Sequence, residues 1–227
     1  MRRCFYIQQG AFTKYREQFL TARGAKEIEI PTKCNIWPYL MENKLILYID
    51  KGCILMKMIE ENGSQYYLQI YAEGSIIPIA CEEENRLFDG YRRFYPIINP
   101  VKGILLDHEE YVRLTLNNRD IYNAVMKETS SIMMNFLYMP LLLRNGPAMQ
   151  RISNLLYMFY LSSYRELLFQ FLNQVSITYM TGLSRYHVVR MFTILKEEGV
   201  LEIKKGKIKI LNVDKLKEKV SVLLQNE

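Results

Sequence analysis

One stretch, residues 173–211, constrains the fold of this chain more than any other: NQVSITYMTGLSRYHVVRMFTILKEEGVLEIKKGKIKIL. Asn173 can cap a short helix that turns Ile177 and Met180 inward, one helical turn apart. Thr181-Gly182-Leu183 breaks that helix, and Gly182 supplies the positive φ that a tight inter-helix turn needs. Ser184 is a natural cap for a second helix, on which Val188, Met191, Phe192 and Leu195 recur at i, i+3, i+4 and i+7 as one buried face. Arg185, Tyr186, Val189, Arg190 and Thr193 then fall on the outward side. Gly199 ends the helix, and Lys196 stands near its carboxyl end, where the dipole favours a cation. Leu201, Ile203, Ile208 and Ile210 alternate with Glu202, Lys204, Lys207 and Lys209 around a Lys205-Gly206 turn, the period of a half-buried strand pair. The stretch predicts a helix-turn-helix followed by a hairpin wing. Three lysines around one tip suit phosphates better than a core.

Within it, GLSRYHVVRMFTILKEEGVL resembles the recognition helix of the Crp/Fnr transcription regulators, whose pattern runs roughly G-x-S-R-E-x-V-x-R-x-x-x-x-L-x-x-x-G-x-I. Gly182, Ser184, Arg185, Val188, Arg190, Leu195 and Gly199 fit it, while Tyr186 stands where the family has glutamate and Thr178 where its first helix has a small residue. The resemblance implies a homodimer on near-palindromic double-stranded DNA in the bacterial cytoplasm, with RNA polymerase as a further partner. On an outward helix face, Arg185 and Arg190 can bond bidentately to guanine O6 and N7. Ser184 and His187 would sit near phosphates at the helix start, where such contacts set register. Tyr186 could bond a phosphate, lie on a thymine methyl, or cover neighbouring apolar surface, and Lys204, Lys205 and Lys207 are candidate phosphate neighbours.

Charge distribution agrees with this placement. Residues 146–227 carry 12 Lys and Arg against 7 Asp and Glu, whereas the rest of the chain is nearly neutral. That is the footprint expected of a nucleic-acid reader. No run of about 18 apolar residues is present to cross a bilayer, and the N-terminus lacks the apolar core of a signal peptide. Cys4, Cys34, Cys53 and Cys81 show no close pairing, which points to reduced thiols and a cytoplasmic setting. Two histidines, His108 and His187, are too few and too far apart for a metal site. No nucleophile–base pair, phosphate loop or catalytic carboxylate pair stands out, so neither an enzyme nor a cofactor is expected.

Ahead of the reader, residues 1–22 suggest a short amphipathic helix. The segments 25–30, 45–49, 53–59, 65–71, 94–99 and 103–106 suggest strands, separated by turn signals such as Asn62-Gly63. Strands at this spacing predict a sandwich or small barrel, and YIDKGCILMKM and ENGSQYYLQIYAEGSII resemble the cyclic-nucleotide-binding-like β-roll of the same family. Helices follow from about Asp107. Leu116-Asn117-Asn118-Arg119 interrupts them, and a longer helix runs from about Asp120 to Leu143 with Ile121, Val125, Ile132, Phe136 and Met139 on one seam. Pro140 is expected to kink or end it. The resemblance implies that this helix is the dimer axis and closes an effector pocket. Asn145-Gly146-Pro147 reads as a hinge.

The expected fold class is therefore α+β: an N-terminal β-roll (double-stranded β-helix or jelly-roll-like), a long dimerisation helix, and a C-terminal winged helix-turn-helix. The expected divisions are residues 1–107, 108–145 and 146–227. An unidentified small effector is expected in the roll, near Tyr71, Gly74, Ile76, Arg92 and Arg93. Cyclic nucleotides fit poorly, because Gly74-Ser75-Ile76-Ile77-Pro78-Ile79 lacks the acid, and Arg92-Arg93 lacks the neighbouring serine, that the family's nucleotide binders carry. Regulators without a ligand, a thiol-based sensor, and a protein-interaction module with a non-DNA winged domain remain as alternatives.

Overall fold

A computed structural model describes residues 7–8, 10–79, 91–97, 100–204 and 206–225. Cys4, Cys81 and Lys205 lie outside the described residues. The chain divides into two compact units, Ile7–Met134 and Asn135–Glu227, with the division inside one long helix.

The first unit is built on a sheet with two covered faces. Its strands are β2 (Lys26–Ile30), β3 (Leu45–Lys51), β6 (Ile76–Ile77) and β8 (Val101–Asp107), in the order β2-β8-β3-β6 and paired antiparallel. Side chains alternate across a strand, and both alternating sets here are apolar. Leu47, Ile49, Ile77, Val101 and Leu105 enter one cluster. Ile46, Tyr48, Ile76, Ile104 and Leu106 enter the other. This explains the unbroken apolar runs LILYI and GILL, since a strand buried on both sides has no polar face.

Against the first face lies a second sheet of β1 (Ile7–Gln8), β4 (Ile54–Ile59), β5 (Gln65–Tyr71) and β7 (Arg92–Pro96), in the order β1-β5-β4-β7. It supplies Ile54, Met56, Tyr71 and Phe94 to the shared interior, and the short helix α2 (Trp37–Glu42) supplies Trp37 and Leu40. Against the other face lie Phe12, Tyr15, Phe19 of α1 (Arg16–Leu20), Tyr111 of α3 (His108–Asn117), and Ile121 and Val125 of α4 (Arg119–Leu143). Gly103 makes the sheet possible at its centre. A Cβ there would stand 2.6 Å from both Leu47 Cδ1 and the Tyr48 carbonyl oxygen.

Sheet alternation corrects the grouping of effector residues. Tyr71 and Arg92 share the roll interior, where the Arg92 guanidinium lies 5.5 Å from the Trp37 ring centroid and Phe94 stacks on Trp37 at 4.7 Å. Ile76 points through the sheet into the helix-covered cluster. Gly74 (φ +75°) turns against Gly10 and Thr13 at the N-terminal segment. Arg93, one residue from Arg92, takes the opposite face of β7 and donates to the Arg92 carbonyl at 2.7 Å. The five residues do not line one chamber. α2, β1 and β6 had no clear sequence signal: two are two-residue strands and α2 is six residues long.

α4 also departs from its expected seam. Asn118 Oδ1 caps it, accepting from Asp120 N at 3.0 Å and Ile121 N at 3.2 Å. Ile121 and Val125 are spent on the unit's own core, Ile132 is half-buried and Met139 is buried. Phe136 is exposed, and so is a separate stripe of Tyr122, Met126, Met133, Leu137 and Leu141. Positions four, seven, four and four apart keep these five on one side of the helix, with Ser130 filling the gap. The helix runs past Pro140 to Leu143, so proline does not end it there. Pro140's carbonyl instead accepts from both Arg144 N (3.0 Å) and Asn145 N (3.1 Å) where the helix stops.

Beyond α4 the second unit comprises α5 (Ala148–Leu161), α6 (Arg165–Phe171), α7 (Gln174–Thr181), α8 (Arg185–Glu197), the hairpin β9 (Leu201–Lys204) and β10 (Lys207–Ile210), α9 (Val213–Lys217) and α10 (Val222–Gln225). α5 is its central rod, with every residue from Ile152 to Phe159 buried. Asn154 on it is held at both ends of its amide: its Nδ2 donates to the Leu142 carbonyl at 2.7 Å, and its Oδ1 accepts from Ser221 N at 2.8 Å.

One ion pair in the first unit carries a pH signature. Glu110, 8% exposed, accepts from Arg113 Nε (2.7 Å), Arg113 Nη2 (2.6 Å) and Arg23 N (3.2 Å). The Arg113 guanidinium, opposed by burial and aided by the Arg23 N–H, holds the carboxyl down to about 2. A depressed carboxylate stabilises the fold above its unfolded value near 4.5 and loses that contribution as pH falls towards 2. Glu110→Gln should therefore lower the urea midpoint at pH 7, and the difference from the wild type should fade as the pH falls from 4.5 towards 2.

Candidate nucleic-acid interface

α7 and α8 are each fixed by their own caps. Asn173 Oδ1 accepts from Ser176 N at 2.9 Å, and Ser176 Oγ accepts from Asn173 N at 2.8 Å, a reciprocal capping box that satisfies two otherwise orphaned donors. Gly182 closes α7 at φ +67°, where an L side chain is strained, and its N–H donates to the Thr178 carbonyl at 2.8 Å. Ser184 Oγ caps α8, accepting from His187 N at 3.3 Å. The same hydroxyl lies 2.8 Å from His187 Nδ1. At the far end Gly199 N donates to the Lys196 carbonyl (3.0 Å) and Val200 N to the Leu195 carbonyl (2.9 Å), the pair of bonds that defines a Schellman stop.

Burial sets the roll angle of α8. The helix packs on α5 and α7 with Val188, Phe192 and Leu195 buried and Met191 half-buried, as the periodicity predicts. Ser184, Arg185, Tyr186, His187, Val189, Arg190 and Thr193 are all exposed. Thr178, on α7, is half-buried. The structure thus brings the five helix residues singled out in the sequence onto one accessible end of one helix.

Residues that sequence reasoning missed hold this arrangement. Arg185 Nε donates to Gln174 Oε1 at 3.3 Å, so the guanidinium is steered across the start of α7. Arg144 Nη2 donates to the Tyr179 carbonyl at 2.9 Å, tying the residue after α4 to the last turn of α7. Arg151 donates to the Arg144 carbonyl. Lys215 Nζ donates to the Glu198 carbonyl at 3.1 Å, a cation on the C-terminal end of α8. None of these partners is close in sequence, and only the Asn173-x-x-Ser176 spacing had a local signature.

The wing has the expected register, Lys204 opposite Lys207 and Ile203 opposite Ile208. Lys207 is exposed, whereas Lys204 is paired with Glu202 at 2.7 Å and Lys209 lies 3.8 Å from the same carboxylate. Lys204, then Lys209, holds Glu202 below the usual carboxylate range against the opposing effect of burial. Ile203 departs from its expected inward place. It is 39% exposed, although its cross-strand partner Ile208, on the same face of the ribbon, is buried.

The thiol alternative gains nothing from Cys53, which is buried among apolar neighbours that push its thiol up to about 12. Such a group is protonated and unreactive at neutral pH. Among the described residues no helix is long and apolar enough to cross a membrane.

Two helices crossing at a left-handed glycine, the second exposing arginines and followed by a basic hairpin, form a recognisable unit, and residues 150–219 match the family model for a Crp-like helix-turn-helix domain. The C-terminal part of this chain is a Crp-like helix-turn-helix. No curated relative matches the sequence. Solved structures share the fold over nearly the whole chain. FixK2 from Bradyrhizobium japonicum superposes with a TM-score of 0.68 at 15% identity, covering 87% of this chain and 98% of its own. CooA from Carboxydothermus hydrogenoformans, a double mutant, gives 0.66 at 18% identity, covering 86% and 87%. CLP from Xanthomonas campestris gives 0.68 at 13% identity, covering 86% and 97%. The chain shares the architecture of these solved structures, a β-roll followed by a helix-turn-helix domain.

Both caps are open to test. Gly182→Ala forces a side chain into the left-handed region, 3.0 Å from Arg144 Nη1, and should cost about 1 kcal/mol. Ser184→Ala removes the α8 cap and should cost about 1 kcal/mol as well. Thermal denaturation of the two variants, each compared with the wild type, checks these values.

Proposed function

We propose that the chain is a homodimeric, sequence-specific regulator whose two Crp-like domains enter successive major grooves, about 34 Å apart, on a near-palindromic operator. The observation that carries this reading is the shared exposure of Ser184, Arg185, Tyr186, His187 and Arg190 at the capped start of α8. Arg185 and Arg190 read guanine edges, each in bidentate geometry. Arg185 leaves Gln174 to do so, exchanging one neutral acceptor for two. Ser184 and His187 touch phosphate, and Lys204, Lys205 and Lys207 line the backbone at the wing. The assignment of residues 1–107 as effector domain, 108–145 as linker and dimer helix, and 146–227 as DNA-binding domain belongs to the same proposal.

The exposed stripe of α4 supports the dimer. Tyr122, Met126, Met133, Leu137 and Leu141 form an apolar line of a kind that monomeric proteins rarely leave bare, and Met133 and Leu137 are each 59% exposed. Set against a second copy, the stripe forms a helix-pair seam, and Ile121 and Val125 serve instead to anchor the helix to the roll. The roll itself suits a small apolar or aromatic effector rather than a cyclic nucleotide. The stretch Gly74–Ile79 carries no acid, and Ile76 and Ile77 within it are both buried in apolar clusters. Related folds take different molecules: CLP is described as c-di-GMP responsive, and CprK has been seen in complex with OCPA.

Two experiments test the reading. Arg190→Ala should cost about 1–3 kcal/mol on the cognate site and relax base preference, while Lys207→Ala should weaken all sequences alike and reduce the salt slope by about 1. Fluorescence anisotropy on specific and random duplexes at several salt concentrations distinguishes them, and equal losses on both duplexes for Arg190→Ala would remove its assigned role. Leu137→Glu should shift the protein from dimer to monomer in analytical ultracentrifugation. A dimer that survives this change would place the interface elsewhere.

A further inference from the structure

The middle of the outward face of α8 is uncharged. At about 100° per residue, the side chains around that face run in the order Arg185, Val189, Thr193, Tyr186, Arg190, so three residues bearing apolar surface sit between two guanidinium groups. Tyr186 is 69% exposed and Val189 43%. Thr193 turns its hydroxyl back to the Val189 carbonyl, donating at 3.2 Å, and this leaves its methyl group outward. The Tyr186 ring is braced: His187 meets it edge-on, with centroids 5.7 Å apart and planes at 76°, and Ser184 holds His187 through the 2.8 Å bond to Nδ1. The next carboxylate on this side, Glu197, stands one turn beyond Thr193, about 6 Å from it along the axis and about 16 Å from Tyr186.

In the major groove, cytosine presents an amino donor that a carboxylate accepts, whereas thymine presents its 5-methyl group, which apolar side chains contact. A helix centre with methyls and an aromatic ring, and no carboxylate nearer than the turn beyond Thr193, complements thymine better than cytosine. We infer that Tyr186, Val189 and Thr193 form a methyl-reading row, so that each half-site carries thymine between the bases held by Arg185 and Arg190. This rests on the DNA-reading assignment above and states what its central positions select.

The test begins with selection of bound duplexes from a random pool by the full-length protein. The enriched site is then synthesised with deoxyuridine replacing thymidine one position at a time, which deletes a single methyl group and nothing else. At one or two positions in each half-site, the wild type should lose about fourfold in affinity per methyl. Val189→Ala or Thr193→Ser should shrink that penalty at its own position. Tyr186→Phe should keep it, because the ring and not the hydroxyl makes the contact, and Tyr186→Glu should move preference towards cytosine. Enrichment of a site whose affinity is indifferent to every methyl, or one with cytosine at the central positions, overturns the inference while leaving sequence-specific binding intact. If no sequence is enriched, base reading by α8 fails, and the methyl-reading row fails with it.

Discussion

The outward chemistry of this protein depends on how α8 is buried. Val188, Phe192 and Leu195 must face α5 and α7, since exposing three such side chains would forfeit several kcal/mol, at about 1.5–3 kcal/mol each. Once they are inside, helix geometry leaves no freedom in what lies outside: Arg185, Tyr186, Val189, Arg190 and Thr193. The caps at Asn173, Gly182 and Ser184 fix where each helix begins and stops, and so fix how far along the rod the exposed residues sit. Stability and recognition are two sides of one helix.

A comparable constraint governs the roll. The β2-β8-β3-β6 sheet is buried on both faces, so its strands commit alternate residues to opposite clusters. This separates Ile76 from Tyr71, and alternation along β7 of the second sheet separates Arg92 from Arg93, pairs that look contiguous in a linear reading. It also consumes Ile121 and Val125 of α4 in covering the sheet, which leaves a different stripe of the same helix bare. The long helix thus has two apolar faces with two uses. The faces look alike in composition and differ only in whether the sheet reaches them.

Local signals were legible wherever their cause was local. Asn173, Gly182, Ser184 and Gly199 stand at the caps and stops that their side chains or their freedom of φ require. The 3.6-residue repeat of α8 and the two-residue repeat of the wing likewise follow from backbone geometry. Signals failed where an element is too short for a period to show, as with α2 and β6, or where the decisive partner is remote. Gln174 on Arg185, Arg144 on the Tyr179 carbonyl and Glu202 on Lys204 are of that second kind, the last being near in sequence but one of several acceptors open to a flexible lysine. Pro140 shows a third case. Proline usually ends a helix, yet here the backbone carries on to Leu143, where burial of Leu142 and Leu143 holds the last turn.

The sequence alone determined the order of parts, the two helices and wing of the reader, and the identity of the residues on its outward face, because each follows from periodicities and caps a few residues long. Only the tertiary structure decided which apolar face of α4 is left open, which of the roll's residues share an interior, and which partners hold the arginines. Those outcomes depend on surfaces that meet across tens of residues, and no spacing within a single segment encodes which neighbour will arrive.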